Sequence, residues 1–294
     1  MRQEVKEILE AHGLDFKIEK LPLVAPNGNS SILTPYFGLL NTKSGEIIHT
    51  VKKGYHASQN EDVVKAVLKG MKPFGEQLSV QKAGSLNGGR KVFIQLAIQG
   101  VSKIGDDIVK RNVTIIDSND GSTGLSVGVG DFTMSCSNQF YYFYKEGMRL
   151  RHSASLEEKI KGIPNLIKIA LGESLRMVQT YEKMVNIQFG KKEIEALAQQ
   201  LINEMVGLDR RASVQEISEL SNQKKNSYDA LSEAIAIETA QKGDNLWGLH
   251  SGVTRWTTHS KRAPKRENGR IESSMMSTNY KANHQSLQFM LEHM

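Results

Sequence analysis

Residues 90–100, RKVFIQLAIQG, decide the fold. Val92, Ile94, Leu96 and Ile98 fall on one face of an extended chain, and Phe93, Gln95 and Ala97 on the other. This is the period-two pattern of a β-strand with one fully apolar face. Downstream, Val109, Val113 and Ile115 alternate with Lys110, Asn112 and Thr114, and the turn Asn119-Asp120-Gly121 leads into Leu125, Val127 and Val129. The three runs predict an antiparallel meander. Upstream, Ser31 to Leu40 and Glu46 to Lys52 read as a strand pair joined by the loop Asn41-Thr42-Lys43-Ser44-Gly45. Val5, Ile8 and Leu9 share a face of a short opening helix that stops at Gly13; Pro22, Pro26 and Gly28 are then expected to interrupt any regular element. Asn60 is expected to cap a helix that buries Val63, Val64, Val67 and Leu68 and ends at Gly70 and Pro73.

The period changes near Ser153 to Ser155. Before it, Ser135 to Lys145 reads as a short helix and Met148 to His152 as a strand with Arg149 and Arg151 on one side. After it, Ser155 with Glu158 and Ser213 with Glu216 have the spacing of capping boxes. Ile160, Ile163, Ile167, Leu171 and Val178 form one helical stripe, split by Gly162 and Pro164; Ile194, Leu197, Ala198, Leu201 and Met205 form the next. Helices follow over Asn222 to Lys242 and Asp244 to His259, then a loop over Lys261 to Arg270 and a helical stretch to Met294. Strands first and helices afterwards predict an α+β chain. An N-terminal antiparallel sheet with one or two helices occupies residues 1–154, and a helical region with its basic loop occupies 155–294.

Composition excludes several classes. With 294 residues, 39% of them hydrophobic, and a mean hydropathy of −0.40, the chain is neither disordered nor collagen-like. One cysteine, Cys136, offers no intrachain disulfide and fits a reducing cytoplasm. No apolar run reaches the ~18 residues of a membrane span, and the charged N-terminus does not read as a signal peptide. A cytoplasmic protein without membrane contact is expected. No Gly-x-x-x-x-Gly-Lys string is present to cradle a phosphate, and the glycines at 84–89 and 124–130 sit between or inside strands, outside a dinucleotide-binding context. The eight histidines lack metal-ligand spacing, and the calcium-loop-like Asp117 to Gly121 fails at its glycine and at its terminal glutamate. No cofactor or metal is therefore expected. Asp117, Asp120 or Asp131 with His152 form an alternative, metal-dependent nuclease reading, and Cys136 with His152 a nucleophile reading set against an inert buried thiol.

Two features point to a polyanion. Phe140-Tyr141-Tyr142-Phe143-Tyr144 places five rings in a row, which cannot all face one core, so part of the run is expected at a surface or an oligomer contact. Tyr141 and Tyr144 are candidates to stack bases, with Arg149 and Arg151 holding phosphates. The second feature is the segment Arg255 to Arg270, where Arg255, Lys261, Arg262, Lys265, Arg266 and Arg270 outweigh Glu267 in a chain of net charge +6. Such a loop suits phosphate contacts, and Arg90, Lys91, Lys110 and Arg111 are candidates to extend the surface. A solvated charge run and an aromatic core layer are the alternative readings. A non-catalytic single-stranded-DNA-binding or strand-annealing protein, possible as a homo-oligomer, is the leading expectation. A third reading is a protein-interaction or assembly role.

Five ordered motifs carry a family resemblance: HTVKKGYHASQNEDVV (residues 49–64), KAGSLNGGRKVFI (82–94), TIIDSNDGSTGLSVGVGDFTMSCSNQF (114–140), MRLRHSASLEEKI (148–160) and NLWGLHSGVTRWTTH (245–259). Together they resemble the domain of unknown function family 932, from about His49 to the C-terminal helix. Ser137 and Gln139 depart from its usual residues. The resemblance implies a cytoplasmic protein of a phage or plasmid in a bacterial host, with replication, recombination or host takeover as the usual setting. It implies no catalytic residue.

Overall fold

A computed structural model describes residues 2–134, 138–142, 149–261, 265 and 269–294, the side chains of Tyr142 and Arg149 excepted. The chain is α+β. It opens with helix α1 (Arg2–Ala11) and a three-stranded antiparallel sheet of β1 (Ile18–Asn27), β2 (Ser30–Asn41) and β3 (Glu46–Lys52), in that order. β2 and β3 are the expected pair. β1 corrects the reading of Pro22 and Pro26 as interruptions: both prolines lie on an edge strand, where a missing N–H forfeits no ladder bond, and a register shift falls between Pro22 and Val24. Helix α2 (Asn60–Met71) follows. Its N-cap is Gln59, and the expected cap Asn60 is buried instead, with its amide donating to the Leu14 carbonyl at 2.9 Å.

The second sheet contains β4 (Leu78–Leu86), β5 (Lys91–Ile98), β6 (Ser102–Ile104), β7 (Asp107–Ser118), β8 (Leu125–Thr133), β9 (Gln139–Tyr142) and β10 (Arg149–Leu150). Its order is β10-β8-β7-β5-β4, with β6 paired to β7 and β9 to β8. The predicted meander is β5, β7 and β8. β5 lies between β4 and β7, and both its faces are buried, Phe93 and Gln95 as well as Ile94 and Leu96. Residues 139–142 form strand β9 where a helix was expected from Ser135 to Lys145. Phe140 and Tyr141, on opposite faces of the pleat, are both buried there.

Strands give way to helices between Leu150 and Leu156, as the period predicts. Helices α3 (Leu156–Ile160) and α4 (Ile163–Asn186) are separated at Gly162, and α5 (Lys191–Met205), α6 (Val214–Ser218) and α7 (Asn222–Lys242) follow. Then come α8 (Leu246–Arg255), a π turn (Trp256–Ser260), α9 (Gly269–Met276) and α10 (Thr278–Glu292). The Ser213–Glu216 capping box forms, with Ser213 N–H donating to Glu216 Oε2 at 2.7 Å. The Ser155–Glu158 box does not, because Ser155 Oγ lies 3.2 Å from Ser153 Oγ and accepts no helix N–H. Among the described residues no helix is long and apolar enough to cross a membrane.

The chain divides into two compact units that interleave in sequence. Unit 1 is Met1–Gln99, Asn112–Val129 and Phe143–Glu173; unit 2 is Gly100–Arg111, Gly130–Tyr142 and Ser174–Met294. Unit 1 is built on Leu39, Val64, Val67, Leu96, Ile115 and Ile167, and unit 2 on Tyr181, Leu201, Leu231, Leu249, Val253 and Phe289, all buried.

In unit 2, α8 crosses α7 so closely that a Cβ on Gly252 would sit 2.5 Å from Ile235 Cα and 3.0 Å from its nitrogen. Backbone cannot yield as a side-chain tip does. Gly252→Ala is expected to destabilise unit 2 by about 1–3 kcal/mol through overpacking. Urea unfolding followed by tryptophan emission reads unit 2 selectively, because Trp247 and Trp256 are the only tryptophans and both lie there.

Candidate functional site

β7 ends in unit 1 at Asp117 and Ser118, where the register with β5 sets Asp117 opposite Val92 and Ser118 opposite Lys91. A carboxylate this deep needs donors. The Asp117 side chain, 6% exposed, accepts from the Ser58 hydroxyl, from His152 Nε2 at 2.8 Å and from Ser118 N–H at 2.9 Å. His152, whose side chain is 4% exposed, places Nδ1 3.1 Å from the His56 carbonyl. The ring is thus held at both nitrogens. The Tyr55 ring stacks on His152 at 5.1 Å and 19°, and its hydroxyl donates to the Ser118 carbonyl at 3.0 Å. Burial, with Asp117 and Asp120 close by, pushes the Tyr55 phenol well above its ordinary range.

This constellation is an anchor and not a nucleophile. Ser58 and His152 both give protons to the same carboxylate, so no base stands beside the Ser58 oxygen. Asp120 caps its own turn, Oδ1 accepting from Ser122 N–H at 2.9 Å. Asp131, grouped with these in the nuclease reading, lies in unit 2. Among the described residues no three His, Cys, Asp or Glu side chains are placed to hold a metal ion.

Around the anchor the structure gathers cations. The β4–β5 turn is tied to the end of β7: Asn119 N–H donates to the Arg90 carbonyl at 2.6 Å and Asn119 Nδ2 to the Gly89 carbonyl at 3.3 Å. The chain passes Gly89 at φ +93°, where a Cβ would meet Asn41 Nδ2 at 2.7 Å. Arg90 leaves this turn exposed, and Arg151, beside His152, is exposed as well. Lys52, Lys53 and His56 join them, all exposed on the segment that carries Tyr55 and Ser58. Lys20 fixes that segment by donating from Nζ to the Tyr55 carbonyl at 2.9 Å. Sequence reasoning missed Lys52, Lys53 and His56. The signal is present in Lys52-Lys53-Gly54-Tyr55-His56, a basic pair followed by an aromatic between two regular elements.

The remaining candidates are dispersed. Lys91 is half-buried at the start of β5 and already has a partner. In unit 2, Lys110 is exposed, Arg111 donates to Ser174 Oγ at 3.2 Å, and Lys265 is exposed. Arg255 turns inward to Glu238 at 3.3 Å, which corrects its reading as a free phosphate contact. Lys261 lies over the Trp256 ring at 4.5 Å, and burial lowers its ammonium below the ordinary lysine range. Tyr141 is buried, which corrects its assignment to base stacking. Arg149 pairs through its backbone with Ser126; its side chain, Cys136, Tyr144, Arg262 and Arg266 lie outside the described residues.

Unit 2 buries two titratable groups that oppose each other. Asp131 Oδ2 accepts from the Tyr181 hydroxyl at 2.7 Å, yet burial outweighs that bond and the Arg111 charge and pushes the carboxyl up to about 6. His250, edge-on to Phe140 at 5.1 Å, is pushed by burial down to about 4.

A family model described as Domain of unknown function (DUF932) matches residues 47–285. No curated protein and no solved structure matches the chain.

Two outcomes are expected. Asp117→Ala strands His152 and Ser58 opposite nothing and lowers stability by about 1–3 kcal/mol for each donor left unmet, measured by urea unfolding. The second concerns pH. The Asp131 contribution is present below 3.8 and lost as pH rises through about 6; the His250 contribution is present above 6.5 and lost as pH falls through about 4. The two slopes oppose each other between those limits. Asp131→Asn removes the first, so stability of the variant falls more steeply than wild type as pH drops from 6.5 toward 4, by about 3 kcal/mol in all. Unfolding curves at a series of pH values check it.

Proposed function

Because the chain belongs to the family described as Domain of unknown function (DUF932), whose description assigns no chemistry, we propose a function from its own residues: binding of single-stranded nucleic acid, with DNA favoured, as a non-catalytic accessory of strand annealing. One observation carries this reading. Lys52, Lys53, Arg90 and Arg151 are exposed, with His56, on segments bonded to one another through Asp117, Asn119 and His152. Four cations on a rigid base meet successive phosphates, and each contact releases counterions. The carboxylate beneath them is buried and met by donors, so it is not presented to the strand.

The ring that stands in this rim, Tyr55, is engaged with His152 and is half-buried. Stacking therefore contributes little and phosphate contacts dominate, which makes binding salt-sensitive and weakly selective for sequence. Lys110 and Lys265 offer further phosphate contacts on unit 2. The setting proposed for this role is the bacterial cytoplasm, among the replication or recombination functions of a phage or plasmid. The nuclease reading is disfavoured because it requires Asp117 to give up donors it holds in order to ligate a metal.

Fluorescence anisotropy with a single-stranded oligonucleotide across a salt series tests the proposal. Four phosphate contacts predict a slope of log affinity against log salt of about −3. Replacing Lys52, Lys53, Arg90 and Arg151 by alanine is expected to bring that slope near zero and abolish binding at moderate salt. Affinity independent of salt, or a variant that binds as wild type does, overturns it.

A further inference from the structure

In unit 2, β6, the start of β7 and the end of β8 lie side by side, and their pairing sorts the side chains onto two faces. Ile104, Asp107, Val109, Asp131 and Thr133 are buried, and Trp247 Nε1 donates to Asp107 at 2.8 Å, so α8 covers that face. The other face is open. Lys103 pairs with Ile108 across β6 and β7, and Met134 N–H donates to the Ile108 carbonyl at 2.8 Å, which makes one row across the three strands. Ser102 pairs with Val109, so Val101 and Lys110, one step on along each strand, fall beside each other; Phe132, two residues before Met134, adjoins Lys110 from β8. Val101, Ile108 and Met134 are 54%, 45% and 46% exposed, both lysines are exposed, and Phe132 is half-buried.

We propose that this open face docks a protein segment in which carboxylates alternate with apolar side chains. Four of the side chains in the two rows are apolar and two are lysines, with no carboxylate among them; Asp106 lies beyond the rows, in the turn between β6 and β7. Neither lysine has an ion-pair partner among the described residues. The solvent face of an antiparallel sheet is ordinarily polar, and adjoining apolar side chains left to water there mark a protein contact. The lysines standing among them set its sign: a carboxylate meets each ammonium, while the apolar neighbours of those carboxylates cover Val101, Ile108 and Met134. A nucleic-acid strand would use Lys110 but leave the aliphatic side chains unmatched. Two copies meeting here would gather two lysines from each and no carboxylate. The docking goes beyond nucleic-acid binding and does not rest on it.

A labelled peptide of alternating aspartate and leucine, titrated with the full chain and followed by fluorescence anisotropy, tests the proposal. Wild type is expected to bind it, and to bind the same peptide with asparagine for aspartate roughly tenfold or more weakly. Lys103→Glu with Lys110→Glu is expected to weaken the aspartate peptide by a similar factor. So is Ile108→Thr with Met134→Thr, which keeps the charge and removes apolar surface. Lys192→Glu with Lys225→Glu, exposed on α5 and α7, changes the net charge as much as the first pair and leaves affinity unchanged. Circular dichroism confirms the fold of each variant, and the lysine pair and the apolar pair test the face independently. Failure of wild type to bind the peptide overturns the proposal, as does binding that both lysine-reversed variants weaken alike. Displacement of the peptide by a single-stranded oligonucleotide, or self-association lost in the Ile108→Thr, Met134→Thr variant, assigns the face to another occupant and overturns it too.

Discussion

A buried carboxylate must be met by donors, and in unit 1 the donors that meet Asp117 come from far along the chain. Ser58 arrives from the segment before α2, His152 from the segment after β10, and Ser118 from the next residue of β7. Leaving any of them unmade costs more than a typical hydrogen bond contributes, because the charge has no water to fall back on. The loops on either side of β7 are therefore held by one group. What those loops display follows from this: Lys53 and His56 flank Tyr55, Arg151 adjoins His152, and Arg90 sits on the turn whose carbonyls Asn119 binds. The exposed cations owe their fixed spacing to a residue that is itself hidden.

Legibility of the fold tracked how much of each element's burial was decided by its own pattern. β5, β7 and β8 announce themselves by alternation, since pleating alone sorts their side chains. β1 does not: its exposed face and edge position permit the prolines that usually argue against a strand. β4 escapes because its register slips between Val80 and Lys82, which breaks the alternation. β9 is the instructive error. Of the five consecutive rings, Phe140 and Tyr141 are buried in succession, as Phe93 and Ile94 are in β5, and the side chains of the other three lie outside the described residues.

The candidate site was half legible for a different reason. Arg90 and Arg151 could be suspected from charge beside turns and strands, but Lys52 and Lys53 join them only through bonds between residues separated by long stretches of chain. His56 and His152, for example, are joined by two bonds across nearly a hundred positions. No local period encodes such a contact. Asp117 and His152 were named together for metal chemistry, and they do meet, at 2.8 Å. Their meeting makes a hydrogen bond, and with Ser58 and the Ser118 N–H it occupies the positions on the carboxylate that a metal would need.

Net charge misleads in the same way until burial allocates it. Arg255 opens the most basic segment of the sequence, and counting it there enlarges an apparent phosphate-binding loop. In the fold it answers Glu238, whose side chain is fully buried and which also lies 3.4 Å from Lys242; Lys242 in turn bonds Asp107, and Trp247 Nε1 donates to Asp107 at 2.8 Å. Two cations and two anions cancel inside unit 2. Such a network contributes little net stability once desolvation is counted, and removing one member leaves the others uncompensated. Its cations are thereby engaged with buried carboxylates, whereas those around Asp117 are not, because Ser58, His152 and the Ser118 N–H meet that carboxylate instead. Lys52, Lys53, Arg90 and Arg151 are left exposed, and that difference between the two units, more than the total of +6, is the ground on which we propose unit 1 as the part that contacts phosphates.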